Sequence, residues 1–269
     1  MTEPRPIPPA PRAYGAVNWL GLKTLAWREI RRFIKVHTQT IWAPVITTLL
    51  FLAVFALALG GAVQQKGGVP FVEFLVPGLI IMAMAQNAFA NTSSSIIISK
   101  VQGNIVDTLM PPLSPIELVV GFAAGGIVRG MVVGGVVAIC LIPLVTIHVA
   151  SPFWIVFHGL MASTMLALLG IAGGVWSEKF DHIAAVTNFI VTPLSFLSGT
   201  FYTIDRLPEM WRLAAHFNPF FYMIDGFRYG FIGHTDTNPL LGAAVMLGVN
   251  TGLFVLCWRM FARGYKLRA

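Results

Sequence analysis

Apolar stretches of about twenty residues alternate along the chain with short polar segments. A hydrocarbon layer of about 30 Å needs roughly twenty helical residues to cross it, and six stretches reach that length. We predict spans at about Gln39–Gly60, Glu73–Thr92, Ile116–Ile147, Phe153–Val175, 184–199 and Leu240–Phe261. The pattern therefore predicts an all-α polytopic membrane protein with six transmembrane helices.

Residues 18–37 show a different pattern, in which basic and apolar positions separate at helical spacing. One side carries the basic residues Arg28, Arg31, Arg32 and Lys35. The other side carries Trp19, Leu22, Ala26, Ile30 and Phe33. Such a helix lies in the headgroup region, although these residues could also be the charged flank of span one. We divide the chain into a flexible cytoplasmic tail (1–17), an interfacial amphipathic helix (18–37) and a transmembrane domain (38–269).

The segment after span five is aromatic but too charged to cross a membrane. Its charged residues are Asp205, Arg206, Glu209, Arg212, Asp225 and Arg228. Each costs about 2.5 to 3.5 kcal/mol at the centre of a lipid-exposed helix. Pro208 suits the first turn of one half-helix, with Asp205 or Thr203 near its cap, and Asn218-Pro219 ends it and starts the next. We predict two outer re-entrant half-helices between spans five and six.

Composition and charge agree with a membrane protein. The chain is 56% hydrophobic and 11% charged, against roughly 25% charged residues in soluble domains. The formal net charge of +7 could suggest a nucleic-acid partner, but the basic residues gather near the two termini. Anionic lipid and the positive-inside bias account for them better. We predict both termini on the cytoplasmic side of a bacterial inner membrane and no nucleic-acid partner.

Two polar stripes interrupt the apolar spans. Asn87 and Asn91 lie four apart in span two, and Asn188, Thr192 and Ser195 follow one side of span five. Polar groups in hydrocarbon need partners or water. Ordinary hydrogen bonds between helices and the lining of a conduit are equally good interpretations.

Arg129 is a charged residue inside span three, where an unpaired guanidinium is expensive. It could reach the cytoplasmic interface, pair structurally or take part in transport. Elsewhere, the chain lacks the spacing of a hydrolase, a metal site or a phosphate-binding loop. We therefore expect no catalytic, cofactor or metal-binding residue on this chain.

Several short motifs follow one another along the chain in a characteristic order. They are Phe74-Leu75-Val76-Pro77-Gly78, Leu109 to Pro115 with its Pro-Leu-Ser-Pro, the PLSFLSGTFY of Pro193 to Tyr202, Leu207-Pro208, and Asn218-Pro219 followed by Tyr222, Asp225 and Arg228. In the order and spacing of these motifs, the chain resembles the membrane subunits of ABC-2 type transporters. Val128-Arg129-Gly130 and the segment 226–230 resemble a subgroup of small bacterial permeases.

The resemblance implies a homodimeric exporter permease with two copies of an ABC ATPase subunit that hold ATP and Mg, embedded among membrane lipids, moving an amphiphilic or lipid-like cargo. It implies ATPase coupling through the amphipathic helix and a loop helix near Lys100 to Leu109: Arg28, Arg31, Arg32, Lys100, Gln102, Asp107 and Leu109. It implies a path lined by spans two and five: Asn87, Asn91, Asn188, Thr192 and Ser195. It implies an outer cap: Asp205, Pro208, Asn218, Pro219, Asp225 and Arg228.

The alternative function is an ATP-independent channel or an ion-coupled secondary transporter. That class should show acidic residues at mid-membrane, or corresponding broken helices in two related halves. Here the acidic residues lie in loops and at span ends, and one broken segment is visible. The sequence therefore favours the ATP-driven permease.

Overall fold

A computed structural model describes residues 15–59, 69–202 and 208–267, and every regular element in these ranges is a helix. The helices are α1 (Trp19–Lys35), α2 (Ala43–Leu59), α3 (Phe71–Val101), α4 (Ile105–Leu109), α5 (Pro115–Leu141), α6 (Pro152–Trp176), α7 (Phe180–Val186), α8 (Thr192–Leu197), α9 (Glu209–His216), α10 (Pro219–Ile232) and α11 (Pro239–Ala262). One π-helical turn, Thr38–Trp42, leads into α2, and another, Thr187–Val191, joins α7 to α8.

The six predicted spans are confirmed as helices long and apolar enough to cross a membrane. They are Thr38–Ala58, Phe71–Val101, Pro115–Leu141, Pro152–Trp176, Phe180–Leu197 and Pro239–Ala262. The most deeply buried of the six is α3, which packs against α5 and α6 and more lightly against α2 and α10. By contrast, α2, α11 and the α7–α8 run are covered by the rest of the chain over only a small part of their surface.

The predicted end of span two was wrong. We placed the end of this span at about Thr92, but the helix α3 continues to Val101. Serine hydroxyls in the added turns bond within the helix, since Ser93 Oγ donates to the Phe89 carbonyl at 2.7 Å and Ser99 Oγ to the Ser95 carbonyl at 2.9 Å. Satisfied in this way, the hydroxyls leave the helix intact. The predicted loop helix near Lys100 to Leu109 is therefore shorter than expected and corresponds to α4, Ile105–Leu109.

The predicted end of span three was also wrong, because α5 stops at Leu141 and not near Ile147. Pro143 lies two residues further on. Proline has no backbone N–H to donate to the carbonyl four residues earlier, so the hydrogen-bond ladder of the helix is interrupted there, although Ile142 itself keeps helical dihedral angles. At the other end, α5 begins with a capping box in which Ser114 and Glu117 satisfy each other's backbone N–H groups.

Small residues on α5 serve two different neighbours. Gly126 and Gly130 face α3 and α6, where a Cβ would approach the backbone carbonyls of Ala88 and Met84 to 3.0 and 2.9 Å. Gly121 and Gly125 instead receive Leu25 and Glu29 of α1, to which a Cβ would approach within 2.5 and 2.4 Å. These glycines allow close contacts between helices, and one row of them seats α1 on the bundle.

The two ends of the bundle carry different structures. At the end that we call the α1 end, α1 and α4 lie beside the C-terminal part of α3 and the start of α5. At the opposite end, called the α10 end, α9 and α10 form the two predicted half-helices. Asn218 separates them and caps α10 by accepting from the Phe220 N–H at 3.1 Å, with Pro219 at its first position. Pro208 lies immediately before α9.

Candidate functional site

Glu29 is the centre of a polar cluster at the α1 end. Its side chain is 1% exposed and pairs with Arg28 at 3.0 Å and with Arg32 at 3.4 Å. It reaches this position because Gly125 on α5 leaves room for it. Two guanidinium groups therefore flank one buried acid, and these contacts hold the three side chains in one geometry.

Arg32 extends this cluster into the bundle. Its guanidinium donates to Ser94 Oγ at 3.2 Å, to Asn91 Oδ1 at 3.2 Å and to the Asn91 carbonyl of α3. Burial lowers the pKa of Arg32, and Glu29 acts in the opposite direction. The side chain therefore connects α1 to the central helix, and it does not point into solvent as a purely basic face would require.

Arg28 connects the same cluster to α4. Its Nη1 donates to Thr108 Oγ1 at 2.9 Å. Between α1, α4 and the end of α3 is an open cavity of about 700 Å³. The predicted coupling residues Arg28, Arg31, Arg32 and Asp107 line it.

The remaining predicted coupling residues lie apart from this cavity. Gln102 is exposed in the turn before α4, and Leu109 is half-buried at its end. Lys100 is directed elsewhere: its ammonium donates to the carbonyls of Val175 and Ser177 at 2.7 and 2.6 Å. Lys100 thus caps the end of α6, and the exposed polar surface of this region is provided by α4 and the turn before it.

A groove opens between α2 and α3, and we call it the α2–α3 groove. Its volume is about 290 Å³. Its polar lining residues are Gln39, Thr47, Thr48, Gln86 and Asn87. Its apolar lining residues include Phe51, Leu79, Met82 and Phe201. A groove with both kinds of wall can hold a molecule that is polar at one part and apolar at another.

The predicted path residues do not all share one surface. Asn87 lines the α2–α3 groove and accepts from Arg129 at 2.8 Å, whereas Asn91 is fully buried and holds Arg32. On the other stripe, Asn188 is exposed, Thr192 is half-buried and Ser195 is buried, donating to the Val191 carbonyl at 2.7 Å. The structure brings only Asn87 to the groove.

Two buried charges hold the α10 end together. Arg228 donates to the Gly199 carbonyl at 2.8 Å and lies 3.7 Å above the ring centre of Phe74, so it joins α8, α3 and α10. Asn218 adds a second connection, with its Nδ2 donating to Ser198 Oγ at 2.7 Å. Asp205, the remaining predicted cap residue with a charge, lies outside the described residues.

Asp225 orders the connection from α10 to α11. Its carboxylate is 3% exposed and accepts from the hydroxyls of Thr235 and Thr237 at 2.6 and 2.7 Å. It also accepts from the backbone N–H groups of Asp236 and Thr237 at 3.0 and 3.2 Å. A carboxylate that accepts four bonds fixes the whole turn.

Replacing Asp225 by Asn should loosen this turn, because an amide nitrogen would face donors and repel them. Hydrogen bonds to a charged group contribute about 1.5 to 3 kcal/mol, so we expect the melting temperature in detergent to fall by about 5 °C. Protease cleavage between α10 and α11 should accelerate. Asp181→Asn, at an exposed aspartate of α7, is the matched control. Equal melting temperatures for the two variants would contradict this role.

Sequence reasoning missed Glu29, although the residue was visible. One acid flanked by Arg28 and Arg32 could have indicated a buried ion pair. It also missed the contact of Asn18 with the start of α5, where the Asn18 N–H donates to Glu117 and its Nδ2 to the Pro112 carbonyl at 3.1 Å. The contact of Asn18 depends on tertiary packing that no local pattern reports.

Comparison with known proteins agrees with this architecture. Residues 21–232 match the family described as ABC-2 type transporter. The chain is 35% identical over 251 residues to the inner membrane transport permease YadH of Escherichia coli K12, covering 93% of this chain and 98% of YadH. It is 24% identical over 236 residues to nodulation protein J of Rhizobium leguminosarum bv. viciae, covering 86% and 89%. The chain therefore belongs to the ABC-2 type transporter family, as a multi-pass inner-membrane transport permease.

Proposed function

We propose that this chain is the permease subunit of an ATP-driven exporter that works as a homodimer with two copies of a separate ATPase subunit. ATP and Mg are held by the ATPase, and this chain forms the path for an amphiphilic or lipid-like substrate. The observation that carries the proposal is the α1 end: an exposed α4 joined by α1 to the central helix α3. A force applied to α4 reaches α3 through Arg28, Glu29 and Arg32.

The uncovered faces of α2 and of the α7–α8 run support a second copy. Both are apolar and are largely left open by the rest of the described chain. Asn188 and Phe189 are exposed on the π-helical turn between α7 and α8. An amide that faces lipid has no hydrogen-bond partner. Such an unsatisfied polar group in hydrocarbon costs on the order of several kcal/mol. A second protomer would cover these faces and place two α2–α3 grooves close to each other.

The proposed orientation puts both termini and the α1 end in the cytoplasm, with α9 and α10 forming the outer cap. Most of the Lys and Arg residues then lie on the cytoplasmic side, as the positive-inside bias requires. The ATPase would meet Asp107 and Gln102 on the exposed side of α4 and the preceding turn, beside Arg31. The substrate would enter the α2–α3 groove from the membrane.

The decisive experiment combines this chain with a separate ABC ATPase subunit. ATP-driven export from reconstituted vesicles should require both proteins and should stop when the phosphate-loop lysine of the ATPase is replaced. Full transport by this chain alone would contradict the proposal and favour the channel or ion-coupled carrier. So would placement of the C-terminus on the outer side by impermeant labelling.

Reversing the charge of Asp107 tests the coupling surface. Asp107→Lys should weaken ATPase association and the stimulation of ATP hydrolysis at least tenfold, because the side chain is exposed at the proposed contact and lacks a buried structural role. Glu209→Lys reverses an exposed charge at the α10 end and should leave both unchanged. If Asp107→Lys bound and stimulated the ATPase normally, α4 would not be the contact.

A further inference from the structure

Arg129 is a buried cation without a buried counter-charge. It lies near the middle of α5 and is 9% exposed. Its Nη2 donates to Asn87 Oδ1 at 2.8 Å, and its Nε has no hydrogen-bond partner. Among the described residues no carboxylate forms an ion pair with it. A second cation, Arg32, lies near enough to act on it electrostatically.

The buried acid of the α1 end is already paired with two other cations. Glu29 is held by Arg28 and Arg32 at 3.0 and 3.4 Å, so this cluster is itself positive. A buried ion whose partner is missing costs several kcal/mol, and charged residues within a membrane are rare for that reason. The interior of the protomer near the middle of α5 therefore keeps a positive charge that a structural role alone does not require, since an uncharged donor could also bond to Asn87.

This charge lies directly behind the wall of the α2–α3 groove. Asn87 connects the charge to the groove, because it lines the groove and its side-chain oxygen Oδ1 accepts a hydrogen bond from Arg129. Thr47, Thr48 and Gln86 complete the polar wall near it, and Leu79 and Met82 provide apolar surface. A cation one hydrogen bond behind the wall of the groove adds a positive potential to it, and this potential attracts a ligand of opposite charge.

We propose that Arg129 makes the α2–α3 groove select amphiphiles with an anionic head group, such as a phosphate or a carboxylate, over neutral or zwitterionic ones. This inference rests on the proposed function, in which the α2–α3 groove is the substrate path. It adds to that function the sign of the charge on the substrate. Arg129 is then a specificity-determining residue, and the anionic head supplies the counter-charge that the protein lacks.

Binding to the purified full-length chain tests the inference without any ATPase. The probes are radiolabelled dodecyl phosphate and dodecyl phosphocholine, which share an alkyl chain and differ in net charge. In nanodiscs of a zwitterionic lipid, the wild type should bind the phosphate at least tenfold more tightly. Equal affinity for the two probes would overturn the inference. Because ATP is absent, this result is independent of whether the chain is an ATP-driven exporter, which the vesicle assay decides.

Three variants separate selectivity from structure. Arg129→Gln should remove the preference for dodecyl phosphate, and Arg129→Lys should largely retain it. Asn87→Asp places a carboxylate on Arg129, so it should raise the melting temperature and still abolish the preference. Arg212→Gln, which removes an exposed charge from α9, should bind as the wild type does. An Asn87→Asp variant that keeps the tenfold preference, or an Arg129→Gln variant that weakens both probes equally, would show that Arg129 is only structural.

Discussion

Replacing Glu29 by Gln is expected to release α1 from the bundle and to stop ATP-driven transport. Glutamine keeps the shape of the side chain but removes the charge that balances Arg28 and Arg32. Breaking a buried ion pair costs about 3 to 5 kcal/mol. Since Arg28 and Arg32 are 46% and 32% exposed, solvent screens part of that loss, and we expect about 2 kcal/mol.

Hydrogen exchange along α1, the melting temperature and coupled transport together measure this effect. Lys23→Gln removes an exposed charge from the same helix and should leave all three unchanged. The double variant Glu29→Gln/Arg32→Met should recover part of the melting temperature, because it removes one of the two unpaired cations. It should not recover transport, since the bonds from Arg32 to Asn91 and Ser94 are lost as well. Unchanged α1 exchange in Glu29→Gln would contradict the role given to the cluster.

The helices and the broken segment could be predicted because their signals are local. A run of about twenty apolar residues indicates a spanning helix by itself, and Asn218-Pro219 caps and starts α10 through its own side chain and ring. Pro143 is an equally local signal, and taking it into account would have ended α5 correctly. The end of α3 was placed at about Thr92 and so too early, because serine hydroxyls bond equally well to water in a loop or to carbonyls within a helix and do not show where a helix ends.

The polar clusters could be predicted only in part, because each joins helices that are distant in sequence. Arg32 and Asn91 are 59 residues apart, and Arg129 and Asn87 are 42 apart. A polar residue in a span needs a hydrogen-bond partner, but the sequence does not identify that partner. Hence the sequence marked Asn87, Asn91 and Arg129 as unusual and left the choice between pairing and conduit open. The structure shows pairing for Asn91, and it shows both pairing and groove exposure for Asn87.

Lys100 shows why a charge in a polar segment is weak evidence for docking. It falls within the segment that the family resemblance assigns to ATPase contact, yet its ammonium bonds the last carbonyls of α6. Carbonyls at a helix C-terminus lack partners within the helix and attract cations. The side chain therefore has a structural role that the sequence alone could not reveal. Asp107, which has no such contact and is exposed, is the sharper residue for testing coupling.

The largest stability loss is expected for Gly170→Ala, at the crossing of α3 and α6. Gly170 and Gly174 are four residues apart and present bare backbone to α3. A Cβ at Gly170 would lie 2.6 Å from the Phe89 carbonyl oxygen and 2.2 Å from Thr92 Oγ1. The hydroxyl could rotate away, but only by giving up its bond to the Ala167 carbonyl at 2.8 Å. The carbonyl belongs to the most buried helix and cannot move without shifting α3.

Overpacking usually costs about 1 to 3 kcal/mol, and with a backbone atom in the way we expect about 3 kcal/mol for Gly170→Ala. Gly170→Val should prevent assembly of the bundle, with loss of monodisperse protein. Gly173→Ala is the control in the same helix, because its Cβ would meet nothing closer than 3.9 Å. Alanine has the better helix propensity, so this variant should melt at or slightly above the wild-type temperature. If Gly170→Ala and Gly173→Ala had the same melting temperature, close packing of α6 on α3 would not be what holds the bundle.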